Sequence, residues 1–168
     1  CDPEPLPAVI QAARARAGAM AAQRHDGTRG IEVERIHSPG PDDPFTLAIQ
    51  GSTTVAGARG MLPSGFVFYP ASAHFIAEMA ERGCAFVAHD GDGRRAVLLM
   101  DTSSEMWPEA GESVISVLEG DYALCWAVLS HAFSRMSEHG MRSVSGCVPC
   151  GGMAASMLTE TGLEMWHE

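Results

Sequence analysis

The sequence predicts an α/β (α+β) domain with one mixed central sheet flanked by helices, and three observations predict it. Two apolar runs, 84–89 and 95–100, enclose Asp90-Gly91-Asp92-Gly93, residues that tolerate positive φ, so the pair reads as an antiparallel hairpin. A strand pattern at 112–118, a long helical pattern at 121–139 and a strand pattern at 142–148 then read as a crossover unit. The chain of 168 residues is long enough for one domain with a substantial core, and it shows no internal repeat or low-complexity tract.

The elements follow in order. Ala-rich residues 7–24 carry a modest apolar stripe at Val9, Ala13 and Met20 and predict a helix that Asp26-Gly27 ends. That helix reads as a linker or the tail of another domain, so the chain divides into 1–28 and a main domain, 29–168. Residues 31–36 alternate apolar and charged side chains and predict a half-buried strand. Residues 45–50 predict a second strand, and 51–64 carry only a weak signal. GFVFY at 65–69 reads as a short buried run. Pro70 opens a helix over 71–82, with Phe75, Ile76, Met79 and Ala80 on one side. The helix over 121–139 places Leu124, Val128, Leu129, Ala132, Phe133 and Met136 at helical spacing, and Gly140 sits at its C-terminal end. A helix over 153–161, a Gly162 cap and a strand over 163–167 complete the pattern.

Composition limits the function classes. A hydrophobic fraction of 46% and a charged fraction of 19% describe a soluble globular chain. A net charge of −10, with the eleven basic residues all Arg and scattered, argues against nucleic acid. No apolar run approaches the roughly 20 residues that span a bilayer, and no signal peptide is recognisable, so the expected location is the cytoplasm, away from membranes. Five cysteines at irregular spacing do not make a disulfide framework and read as reduced thiols. A chain opening at Cys1 instead of Met reads as processed, trimmed or excerpted; a lipid-modified N-terminal Cys is the alternative.

The stretch ESVISVLEGDYALCWAVLSHAFSRMSEHGMRSVSGCVPCGGMAASMLTETGLEMW resembles the acyl-CoA-binding half of the GNAT superfamily of N-acetyltransferases. In that family a strand starting near a Glu leads through a Gly-rich loop into a long helix, a strand and a last helix ending in Gly-Phe. Met153, Met157, Leu158, Gly162 and Leu163 fall where that last helix and its ending belong. The resemblance covers 84–166, about half the chain, and is only permissive over 31–82.

The resemblance implies acetyl-CoA as acyl donor, an amine of a small molecule or a protein lysine as acceptor, and no metal. It leaves a homodimer open. Glu112, at the start of the strand, takes the place of the family's general base; a solvated strand-end Glu is the alternative. Ser116, Val117 and Leu118 would offer backbone groups to the pantetheine arm. Gly120, Asp121, Tyr122, Ala123, Leu124 and Cys125 would form the pyrophosphate cradle at a helix N-terminus, where backbone N–H groups and the dipole favour anions. The loop departs from the family: most glycines are missing, it is shorter, and Glu119 and Asp121 bring negative charge. An ordinary strand-to-helix turn with Asp121 as N-cap is the alternative. Leu158 stands where many members carry an acidic Tyr. Tyr122 is either a donor or a packed first-turn aromatic.

Cys147-Val-Pro-Cys150 reads as half a zinc site, a redox dithiol or small residues in a tight turn. No second CxxC or closely spaced His pair supplies further zinc ligands; His131 and His139 are two turns apart. Cys125 and the methionines read as core. Three functions therefore compete: an active N-acetyltransferase, a non-catalytic acyl-CoA sensor or interaction module of the same fold, and a redox or metal-handling protein built on CVPC.

Overall fold

The computed structural model describes residues 4–23, 30–64, 67–82, 84–102, 111–138 and 140–163. A six-stranded sheet forms its centre. β1 is Glu4–Pro5, β2 Glu32–Arg35, β5 Cys84–His89, β6 Arg95–Asp101, β7 Glu112–Gly120 and β8 Ser143–Gly146; β3, Met61–Ser64, and β4, Val67–Pro70, form a separate hairpin. The order is β1-β8-β7-β6-β5-β2, with β7 and β8 parallel and every other neighbour antiparallel. The sheet is therefore mixed, as expected. Among the described residues, no helix is long and apolar enough to cross a membrane.

Among the described residues six helices cover it: α1 Leu6–Gln23, α2 Pro44–Gln50, α3 Thr53–Gly57, α4 Ala73–Arg82, α5 Tyr122–Glu138 and α6 Met153–Glu160. One core joins α1, α5 and α6 to the sheet through Val9, Ala13, Leu98, Met100, Ile115, Leu118, Trp126, Phe133 and Leu158. On the other face Phe45, Ile49, Val55, Leu62, Ile76 and Met79 pack on Ala85, Val97, Leu99 and Val117. Helix α1 thus buries its stripe against the same core as the rest of the chain, and β1 extends the sheet beside β8.

The hairpin of β5 and β6 follows from its turn: the Asp90 carboxylate accepts the N–H groups of Asp92 (3.0 Å) and Arg94 (3.1 Å). Gly140 and Gly162, at the ends of α5 and α6, take φ of 77° and 98°. Three expectations fail. Pro70 ends β4 instead of opening α4, which begins at Ala73 with the Ser72 hydroxyl accepting the Phe75 N–H at 3.2 Å. Residues 67–69 are not a buried run. Residues 45–50 are a helix, α2, and not a strand. Asp43 caps it, accepting the Phe45 N–H at 2.8 Å, and Pro44 supplies a pre-set φ at the first position. Phe45 and Ile49, one turn apart, are buried while Leu47 is 54% exposed, the pattern of a helix face. The weak stretch after it holds α3 and β3. Of the run 65–69, residues 67–69 lie in β4 with Phe68 54% exposed, and 65–66 lie outside the described residues. Of the expected last strand, 164–167 lie outside them too.

Candidate functional site

The expected site residues all lie on β7 and the first turn of α5. Glu112 opens β7, its backbone in register with Ser143 of β8; its side chain lies outside the described part of the structure. Pairing with β8 runs as far as Ile115 opposite Gly146, and the Cys147 N–H then donates to the Ile115 carbonyl at 3.0 Å. Beyond that point β7 continues to Gly120 against β6, and the two parallel strands part. A fork opens in the middle of the sheet.

The fork coincides with a β-bulge. Leu99 is in register with Val117 and Met100 with Ile115, which leaves Ser116 without an opposite residue. The extra residue resets the alternation. Ile115 and Leu118, three apart, face the same core, and Val117 faces the other. Ser116, Val117 and Leu118 are all buried, and the Ser116 hydroxyl has no hydrogen-bond partner among the described residues. Leu158 of α6 lies over the fork: a Cβ on Gly146 would stand 2.8 Å from its Cδ1 and 3.8 Å from the Ile115 Cβ. At this position α6 offers a hydrocarbon and no acid.

At the far end of β7, Gly120 turns the chain with φ of 130°. The Asp121 N–H donates to the Arg95 carbonyl at 2.9 Å, and its carboxylate accepts the N–H groups of Ala123 (3.0 Å) and Leu124 (3.2 Å). Asp121 is therefore the N-cap of α5, and its own oxygen occupies two amides that an anionic ligand would use. Arg94, clamped by Asp90 and Asp92 at 2.9 Å each, reaches to 3.9 Å from the Asp121 carboxylate. Glu119 accepts the Thr53 N–H (3.2 Å) and hydroxyl (2.8 Å), which ties α3 to β7.

Tyr122 is 37% exposed, packs edge-on against Trp126 and donates to Glu160 at 3.3 Å; Arg16 pairs with the same carboxylate at 3.0 Å. Leu124 and Cys125 point into the core. Burial, with the charges of Asp121 and Glu119 adding to it, pushes the Cys125 thiol up to about 12. Burial likewise raises the Cys84 thiol, against the opposing pull of Arg35 and Arg135. Cys147 is half-buried and Cys150 exposed. The tight turn here is closed by the Gly152 N–H on the Pro149 carbonyl at 3.4 Å, so Cys150 and Gly151 are its centre and it does not lie between the two thiols.

The structure thus strings Glu112, the bulge at Ser116 and the Asp121 cap along one strand. Arg94, Thr53, Leu158 and Glu160, which complete the surroundings, come from three other segments, the turn between β5 and β6, α3 and α6, and only Leu158 drew notice in the sequence. No known family model, no curated protein and no solved structure matches the chain.

Proposed function

We propose that the chain is an acyl-CoA-dependent N-acetyltransferase domain of the GNAT type, moving an acetyl group from acetyl-CoA to an amine. The fork between β7 and β8, with the bulge at Ser116, is the observation that carries the reading. A strand whose neighbour departs in mid-sheet leaves one edge of its backbone without a ladder partner, and an extended amide-bearing arm can pair with such an edge. Residues 116–118 are the segment that the pantetheine arm would follow. Because they are buried, the arm enters by displacing the cover that Leu158 helps to form.

In this reading Glu112 removes a proton from the attacking amine, directly or through a water, and the amine attacks the thioester carbonyl. The CoA thiolate leaves and takes a proton from solvent water, since the Leu158 side chain has none to give. The test is acetyl-CoA-dependent acetylation of a panel of small amines and lysine peptides by the full chain and by Glu112→Gln. A fall of about 100-fold or more in kcat, with acetyl-CoA affinity retained, supports the base. An unchanged rate overturns it.

One observation favours a second reading, a non-catalytic module of the same fold. Asp121 fills the helix N-terminus with its own carboxylate, and Glu119 and Glu160 add charge of the same sign nearby. Calorimetry separates the two: acetyl-CoA binding without turnover on any amine identifies the sensor, and binding with turnover identifies the enzyme.

A further inference from the structure

We propose that Glu32, Glu34 and His89 form a binding site for a divalent transition-metal ion such as Zn²⁺. The three side chains belong to β2 and β5, which pair antiparallel with Glu32 directly opposite His89 and Glu34 opposite Val87. Directly opposed residues share a face of the sheet, and so do residues two apart on one strand. The register therefore sends all three to one spot without any contribution from a loop.

The donor geometry suits an ion of that class. His89 Nε2 lies 3.3 Å from Glu34 Oε1 and 3.7 Å from Glu32 Oε2, and one donor atom from each residue lies within 4.8 Å of the others. Two ligand atoms held at Zn–N and Zn–O distances by one tetrahedral ion stand about 3.4 Å apart, so small rotamer adjustments suffice. Two carboxylate oxygens and an imidazole nitrogen are a mixed set that favours zinc, copper or nickel over calcium or magnesium. Both carboxylates converge on a single ring nitrogen, which can donate only one proton. Among the described residues neither pairs with an arginine, and His89 is the partner of both. A cation relieves that repulsion, and with three protein ligands and glutamates open to solvent a fourth position remains for water or a substrate atom. Arg95 lies opposite His89 on β6, and its side chain is exposed.

The test is calorimetric titration of the full chain with Zn²⁺, alongside the double variant Cys147→Ser/Cys150→Ser, His89→Ala and Glu32→Gln. Glu32 and Cys150 are exposed and His89 and Cys147 half-buried, so all four substitutions fall outside the buried core, and thermal melts confirm that each variant folds. The site predicts one equivalent of saturable Zn²⁺ binding that survives loss of both thiols and weakens about 10-fold or more in His89→Ala and in Glu32→Gln. Absence of saturable binding, unchanged affinity in His89→Ala, or loss of binding with the two cysteines overturns it.

Discussion

A Cβ on Gly120 would stand 2.3 Å from the carbonyl oxygen of Arg95 and 2.5 Å from the Ala96 Cα. Both are backbone atoms of β6, so no side chain can give way. The φ of 130° adds strain of its own for any residue with a side chain. Gly120→Ala is therefore expected to cost at least about 2 kcal/mol. Urea unfolding measures it, and a loss below about 0.5 kcal/mol would mean that β7 enters α5 by another path.

Asp121 makes opposite predictions for stability and for ligand binding. Asp121→Ala removes the cap of α5 and is expected to cost about 1 kcal/mol. Asp121→Ser keeps a capping oxygen and removes the charge, so stability stays close to that of the parent. If acetyl-CoA phosphates approach this turn, the Ser variant binds the cofactor more tightly; calorimetry on the pair reads this directly. Equal affinity in parent and Ser variant places the cofactor phosphates elsewhere.

The four cysteines among the described residues divide into two classes. Cys84 and Cys125 are buried with raised thiol ionisation, and Cys147 and Cys150 are accessible. An alkylating reagent at neutral pH is expected to label Cys147 and Cys150 in the folded chain and to reach Cys84 and Cys125 only in denaturant, as peptide mass spectrometry would report. Stability follows the same asymmetry. The folded-state value for Cys125, about 12, lies above the ordinary 9.0, so the unfolded chain ionises first as pH rises. Its contribution is complete below pH 9.0 and is lost between there and about 12. Denaturant melts across that window are expected to fall more steeply for the parent than for Cys125→Ala.

Much of this fold was legible because its signals are local. The turn at Asp90 is set by one carboxylate and two amides within four residues, and α5 is announced by a continuous apolar stripe. Residues 45–50 show how such a reading fails. FTLAIQ is short enough to fit either period, and the deciding signal, Asp43-Pro44, lies just outside it and was read as loop. Both the cap and the proline are local, so that helix was available to a closer reading.

The candidate site was legible only as a string of residues. Sequence located Glu112, the stretch from Ser116 and the turn at Asp121, all within one strand and one helical turn. The bulge at Ser116 had no local signal, because it exists only in the register between β6 and β7. The tie from Thr53 to Glu119 spans 66 residues and the contact from Glu34 to His89 spans 55.

The chain by itself therefore determined the hairpin of β5 and β6, the passage from β7 into α5, and α6, since periodicity, caps and turn chemistry act between near neighbours. Tertiary structure decided where β7 and β8 part, that Leu158 covers the fork, and that two glutamates meet one histidine. Those facts depend on side chains brought together across the sheet, and no local pattern encodes which distant residue will arrive.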